Sequence, residues 1–173
     1  MSLFVQETLL DRVVALVERV FGKRGTGGGQ EATAAGGVIP RIQVAFFSRQ
    51  GGPVTIDGHG YWDARDHLST RRKKGEWTGY HAEMMIVSAM VSMFTRDARD
   101  LTVGQAKILL SQAGAPAIAA NADCCAHCAK MLDKLGIARP SGSDKASLTG
   151  WWNPFTDDVY PNGSTEFRNF LND

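Results

Sequence analysis

The chain has 173 residues, a length that suits one compact domain whose core needs no disulfide support. Hydrophobic residues make up 43% and charged residues 21%, and the formal net charge of +1 excludes a general attraction to nucleic acids or membrane surfaces. No stretch approaches the roughly 18 uninterrupted apolar residues of a membrane-spanning helix, and charged residues in the N-terminal segment argue against a signal peptide. We therefore expect a cytoplasmic protein with no membrane partner.

The N-terminal part of the chain is predicted to divide into a helix and a linker. Residues 1–21 predict an amphipathic helix, because apolar residues recur at helical spacing from Leu3 to Phe21 and charged residues fill the opposite face. Residues 22–37 are rich in Gly, Ala and Thr, which predicts a flexible linker. The remaining residues, 38–173, are expected to form the folded domain.

The folded domain is predicted to begin with a β-hairpin. A strand-like pattern covers residues 41–48, and a second one covers residues 54–62. The segment between them, residues 49–52, contains two glycines and is expected to form the turn.

Helices and strands are then expected to alternate. In chain order, the predicted elements are a polar segment at 63–79, a buried helix at 81–94, a short strand at 105–111, a loop at 112–123, a second helix at 125–135 that ends at Gly136, weaker strands at 147–152 and 158–167, and a last helical turn at 166–171. Strands that alternate with helices predict the α/β class, in which helices cover a sheet.

The residues with the most distinctive chemistry lie at the starts of the two central helices. His81 and Glu83 open the first, and Cys125 and Cys128 open the second. A Cys-x-x-Cys at a helix start can place two sulfurs on one side of the first turn, where the helix dipole favours the thiolate. One imidazole and two thiolates make a three-ligand zinc site whose fourth position is left for water. The three cysteines, all within residues 124–128, are too few and too close for a disulfide framework.

Glu83 is predicted to act on that water rather than to bind the metal. Positions i and i+2 of a helix do not face the same way, so Glu83 does not form an ordinary ligand pair with His81. Zinc brings the pKa of a water in the open position close to neutrality. A carboxylate beside it can take the water's proton and return it to a substrate. We therefore predict that His81, Cys125 and Cys128 bind one zinc ion and that Glu83 is the catalytic acid and base.

This pair of motifs resembles the signature of the zinc-dependent cytidine deaminase superfamily. His81-Ala82-Glu83 matches its His-x-Glu motif, Cys125-x-x-Cys128 matches its Cys-x-x-Cys motif, and the order of elements from about residue 40 to about residue 137 is similar. The resemblance implies a cytidine deaminase-like three-layer sandwich, a mixed sheet covered by helices, with an extra N-terminal helix. It also implies hydrolytic deamination of a nucleobase, for which we expect a cytidine or cytosine-type nucleoside, with guanine and adenine types left open. Backbone contacts to the substrate are expected from Ala82 and Cys125.

The chain departs from the family pattern next to its first cysteine ligand. The family commonly has a proline there, whereas this chain has Cys124, and residues 112–123 lengthen the segment between the motifs. These departures are similar to the bacterial branch that includes toxin-type deaminases. Two substrate classes therefore stay open, a small nucleoside or nucleobase and a nucleic acid, and a toxin-type protein would be a secreted effector. A homo-oligomer is compatible with the sequence.

Simpler interpretations compete with a catalytic zinc site. A structural site could use Cys124, Cys125, His127 and Cys128, but ligands so close in sequence make a tetrahedron hard to close. A redox dithiol would leave the His-x-Glu motif unexplained, and taken alone that motif is typical of an ordinary helix start. A zinc-stabilised binding module without chemistry would have no use for the carboxylate of Glu83.

Several other features have a functional and a structural interpretation. The basic run from Arg71 to Lys74 contacts phosphates or, more often in such cases, is a solvated charged surface. The run from Trp151 to Phe155 stacks on a base or, as we expect, fills the core. The remaining expectations are structural: core filling by Met84, Met85, Met90 and Met93, loop positions for His59 and His67, a solvent-facing or supporting position for His127, and a small buried residue or spare thiol at Cys124.

Overall fold

A computed structural model describes residues 7–22, 33–50, 53–56, 58–68, 81–141, 151–156 and 158–160. Over these residues the chain has an α/β fold with a four-stranded mixed sheet, a separate pair of short strands and four α-helices. The predicted α/β class is therefore confirmed. In this part of the chain, no helix is long and apolar enough to cross a membrane.

The helices and strands follow one another in the order α, β, β, β, α, α, β, α, β, β. Their bounds are α1 Leu9–Phe21, β1 Ala34–Ile39, β2 Val44–Arg49, β3 Tyr61–Asp63, α2 Ala82–Ser92, α3 Val103–Gln112, β4 Ala117–Ala120, α4 Ala126–Lys134, β5 Trp151–Trp152 and β6 Val159–Tyr160. The main sheet has the order β3-β2-β1-β4, and β1 is antiparallel to both of its neighbours. Strand β3 is parallel to β2, and β5 pairs only with β6 among the described strands.

Helix α1 confirms the predicted N-terminal helix over residues 9–21. It begins with a capping box, because Thr8 Oγ1 accepts a hydrogen bond from Asp11 N at 3.1 Å and Asp11 Oδ2 accepts one from Thr8 N at 3.0 Å. Its buried residues Val13 and Val17 pack against small alanines of β4. The predicted residues 1–6 lie outside the described part of the chain.

The predicted linker extends too far, because β1 begins at Ala34, inside the segment 22–37. A side chain at Gly36 would meet Val17 of α1, with a Cβ 2.7 Å from its Cγ2. A side chain at Gly37 would meet α2 on the opposite face, with a Cβ 2.6 Å from Met90 Cε. The glycines that suggested a linker therefore let helices approach both faces of the sheet.

The predicted hairpin between residues 41–48 and 54–62 is wrong. The hairpin is formed by β1 and β2, with Ile39 paired to Val44 across the turn at residues 40–43. Strand β3 covers only the end of the second predicted strand, and it runs parallel to β2. A strand pattern indicates extended backbone but does not specify the partner, and this explains the wrong pairing.

The predictions for the segment between the two motifs are also wrong. Residues 105–111 belong to helix α3 rather than to a strand, and Thr102 begins this helix by exchanging hydrogen bonds with Gln105 in a second capping box. The predicted loop at 112–123 contains strand β4, which pairs with β1. Four residues of alanine and isoleucine, AIAA, carry too weak a strand pattern to be recognised in the sequence.

Helix α2 forms the centre of the core, as predicted for residues 81–94. Ten of its eleven residues are buried, and they include Met84, Met85 and Met90. Met93, predicted to fill the core, lies just past the helix and is 42% exposed. Helix α4 matches the predicted second helix, and Gly136 ends it with a φ of 69°. Within the described residues, the weak strands predicted at 147–152 and 158–167 correspond to β5 and β6. Residues 147–150 and those beyond 160, including the predicted turn at 166–171, lie outside the described part.

Candidate metal centre

The candidate site lies where the N-termini of α2 and α4 meet at one end of the sheet. The Ser48 hydroxyl at the end of β2 donates a buried hydrogen bond of 2.6 Å to the Ala82 carbonyl, which fixes the start of α2. Asn121 follows β4. Its side-chain Oδ1 accepts a hydrogen bond from the Ala34 backbone N–H, and its backbone N–H donates one to the Ala34 carbonyl, both at 2.9 Å. These bonds hold the segment before the cysteines against the start of β1.

The three predicted metal ligands come together in this corner. His81 is the N-cap residue of α2 and Cys125 is the N-cap residue of α4. His81 Nδ1 lies 3.4 Å from Cys125 Sγ and 3.3 Å from Cys128 Sγ. The Cys128 backbone N–H also donates to Cys125 Sγ at 3.4 Å. Because both sulfurs lie close to the same imidazole nitrogen, they lie on the same side of the first turn of α4, as the Cys-x-x-Cys spacing predicted.

The geometry suits a tetrahedral ion held by one nitrogen and two sulfurs. All three ligand atoms lie within 4.8 Å of one another. With usual zinc bond lengths and a tetrahedral angle, an imidazole nitrogen and a thiolate sulfur are about 3.6 Å apart. The two observed nitrogen–sulfur distances, 3.4 and 3.3 Å, are close to this value. The donor set therefore fits zinc or a similar borderline-soft metal ion.

The electrostatics of the site already favour one thiolate. A hydrogen bond from Cys128 lowers the pKa of Cys125 to about 4, against the opposing effect of burial, and His81 lowers it further. Burial and the neighbouring Cys125 raise the pKa of Cys128. Burial lowers the pKa of His81, but its hydrogen bond to Cys125 and the negative charges of Cys125 and Glu83 outweigh this and leave the pKa raised.

Glu83 lies beside the three donors but is not one of them. Its side chain is only 2% exposed, and burial raises the pKa of its carboxyl group. The thiol of Cys124 donates a buried hydrogen bond to Glu83 Oε1 over 3.3 Å. Burial and the adjacent carboxyl group raise the pKa of Cys124, so its thiol keeps its proton at neutral pH. No sequence pattern indicates this contact, because the side chain of a residue preceding a Cys-x-x-Cys has no fixed direction until the chain folds.

A closed four-ligand site has no support among the described residues. The metal-binding group found there consists of His81, Cys125 and Cys128, without Cys124 or His127. Of the two positions predicted for His127, solvent-facing or supporting, the solvent-facing one is wrong, because this residue is fully buried and its ring lies 5.6 Å from that of Trp151. The ring carries both a polar edge and an apolar face, so hydropathy alone does not decide its burial.

The structure also describes Trp151, Trp152, His59 and His67, which are considered as further functional candidates. Trp151 and Trp152 are fully buried, which confirms the core interpretation over base stacking. His59 lies in an exposed turn, as predicted, but His67 lies in a short 3₁₀ helix with its ring between those of Phe46 and Trp62. The basic run from Arg71 to Lys74 lies outside the described residues.

Comparison with other proteins adds no family assignment. No protein-family model, no curated protein and no solved structure matches this chain.

Proposed function

We propose that the chain is a zinc-dependent hydrolytic deaminase of an amino-bearing nucleobase, with a cytidine or cytosine-type nucleoside as the preferred substrate. The observation that carries the proposal is the convergence of His81, Cys125 and Cys128 at two helix N-termini beside the buried carboxyl group of Glu83. A purely structural metal site has no need for an acidic residue at that position. The finer fold assignment, a cytidine deaminase-like sandwich, belongs to the same proposal and is supported by helices on both faces of a mixed sheet.

In this proposal His81, Cys125 and Cys128 would hold the zinc ion. When bound, zinc supplies Lewis acidity that lowers the pKa of a water molecule to near neutrality. The helix dipoles of α2 and α4 place partial positive charge at the site, which stabilises the thiolates that the metal requires. The lowered pKa of Cys125 means that one thiolate is formed before any metal arrives.

Glu83 would carry the protons of the reaction. Its carboxylate takes one proton from the attacking water as the water oxygen bonds to the amino-bearing ring carbon, and delivers this proton to the adjacent ring nitrogen. It then moves the proton of the newly added hydroxyl to the amino group, the carbon–nitrogen bond breaks and ammonia leaves. Glu83 ends unprotonated, and the substrate has exchanged its amino group for a carbonyl oxygen. Burial raises the pKa of this carboxyl group, which favours its acceptance of a proton from the attacking water.

Backbone N–H groups are the proposed contacts to the substrate. Ala82 is the first residue of α2 and Cys125 is the N-cap of α4, positions whose N–H groups have no acceptor within their own helix. Such groups can stabilise negative charge that develops on a substrate. A small substrate is preferred because the net charge is only +1 and the sequence has no second basic run to follow a nucleic-acid strand.

The test is an ammonia-release screen with the zinc-loaded chain. Free bases, nucleosides, nucleotides and single-stranded oligonucleotides are compared with and without a chelator, and Glu83→Ala provides the matched inactive variant. We expect ammonia from a cytosine-bearing small substrate, abolished by the chelator and by Glu83→Ala. Release from oligonucleotides alone would assign a nucleic-acid substrate instead. Zinc binding without ammonia from any of these substrates would overturn the deaminase and favour a zinc-stabilised binding module.

A further inference from the structure

The contact between Cys124 and Glu83 joins the two halves of the candidate site. Glu83 lies in the first turn of α2, whereas Cys124 immediately precedes the N-cap of α4, 41 residues later in the chain. Cys124 is 9% exposed and Glu83 is 2% exposed, so water has little access to either group. A hydrogen bond of 3.3 Å from the thiol to Glu83 Oε1 therefore connects the acid to the segment that carries the cysteine ligands.

This contact restricts a side chain that would otherwise have considerable freedom. A glutamate has three rotatable side-chain bonds, and its rotamer entropy is among the largest of the amino acids. General acid–base catalysis depends on holding the carboxylate within hydrogen-bond reach of the protons that it transfers. In this site Cys124, in the segment just before α4, donates to one carboxylate oxygen of Glu83 on α2. The position of the carboxylate therefore depends on the segment that carries the cysteine ligands.

We propose that Cys124 is a positioning residue, whose thiol holds the Glu83 carboxylate in place for proton transfer. The proposal rests on the proposed function. It assigns Cys124 neither to the metal nor to the substrate, in agreement with the ligand group of His81, Cys125 and Cys128. It also gives the adjacent cysteine pair Cys124-Cys125 two separate tasks, a hydrogen-bond donor followed by a metal ligand.

A kinetic comparison of two variants tests the positioning role. Cys124→Ala removes the donor, and Cys124→Ser keeps a donor of similar size, so we expect kcat to fall about 10- to 100-fold in the first and to recover most of this loss in the second. KM and zinc content should stay at their wild-type values in both, since the residue touches neither substrate nor metal. Wild-type kcat in Cys124→Ala, or an equal loss in both variants, would overturn the proposal.

Infrared spectroscopy of the zinc-loaded chain tests the contact without any substrate. The chain has three cysteines, and metal binding removes the protons of Cys125 and Cys128, so the remaining S–H stretching band belongs to Cys124. We expect this band at the lower frequency of a hydrogen-bonded thiol, its shift to higher frequency in Glu83→Ala, and its loss in Cys124→Ala. A band that does not move in Glu83→Ala would overturn the proposal. If the wild type released no ammonia from any substrate, the proposed function would fail, and the band would still decide whether Cys124 holds Glu83.

Discussion

His81 Nδ1 lies 3.3 Å from Cys128 Sγ although 47 residues separate the two in the chain. The pairing of β1 with β2 and β4, together with the hydrogen bonds of Ser48 and Asn121, brings the two helix starts to the same end of the sheet. The three metal-binding atoms thus come together only in the folded chain. We expect substitution of a single ligand to remove the metal, and substitution of a neighbouring residue to leave it bound.

The first prediction concerns metal content. Cys125→Ser and Cys128→Ser should each lose the zinc of the purified chain, because a hydroxyl is a poor zinc ligand, whereas Cys124→Ser should retain about one zinc per chain. The two ligand variants should also lose the stabilisation that binding provides, about 4 kcal/mol when free zinc is about 1,000 times its Kd. Elemental analysis and thermal unfolding with added zinc measure both effects. Retention of zinc by both ligand variants would disprove the assigned site.

The second prediction separates the proposed catalytic acid, Glu83, from the proposed metal ligands. Glu83→Ala should keep its zinc and its fold but lose activity by at least about 10² to 10⁴-fold, the usual contribution of general acid–base catalysis. Glu18→Ala, at an exposed acidic residue of α1, is the matched control and should leave turnover unchanged. Steady-state rates on the best substrate of the ammonia screen provide the comparison. Equal rates for Glu83→Ala and the wild type would refute the assigned role.

The third prediction concerns thiol reactivity in the zinc-free protein. A pKa of about 4 at Cys125 means that its thiolate, the reactive form, persists as the pH falls until about that value. Alkylation of Cys125 by iodoacetamide should therefore continue at pH 6, where an ordinary thiol with a pKa of about 8.5 is almost fully protonated. Cys124, whose pKa is raised, should react little under these conditions, and bound zinc should protect Cys125. Peptide mass mapping identifies the modified residue, and a reactivity midpoint near that of a free cysteine would contradict the prediction.

The fourth prediction tests the packing that places α2 on the sheet. In Gly37→Ala the new Cβ would lie 2.6 Å from Met90 Cε, 2.8 Å from Ile118 Cγ1 and 2.9 Å from Ile86 Cγ2. Met90 can move aside, but the branched isoleucines resist, so unfolding free energy should fall by about 1 to 3 kcal/mol. Gly104→Ala is the control, because its Cβ meets nothing closer than 3.9 Å and alanine favours the helix α3. Urea unfolding measures the unfolding free energy of both variants. Equal unfolding free energies for Gly37→Ala and Gly104→Ala would show that the close packing at Gly37 is wrong.

Strong local patterns were enough to predict the parts of the fold that surround the site. Helix α2 was predictable because its sequence is almost wholly apolar. The end of α4 was predictable because Gly136 suits the left-handed conformation that stops a helix, and the structure shows that conformation. The side-by-side placement of the two sulfurs followed from the spacing of Cys125 and Cys128 at a helix start. The α/β class followed from alternating strands and helices.

The errors arose where tertiary contacts outweighed local pattern. Gly36 and Gly37 suggested a linker, yet they lie in a central strand because helices approach both faces there. Strand β4 was missed because its alanines carry little strand preference and gain their stability from α1 and β1. The contact between Cys124 and Glu83 crosses 41 residues, and no local rule specifies it.

X-ray absorption at the zinc edge of the metal-loaded chain tests the catalytic site most directly. A site formed by His81, Cys125 and Cys128 should show two sulfurs, one imidazole nitrogen and one further light atom around the ion, since a catalytic zinc keeps one position open to water. A shell with three sulfurs would place Cys124 on the metal, and one with a second imidazole would add another histidine. Either result would make the site closed and structural, and would contradict the proposed deaminase.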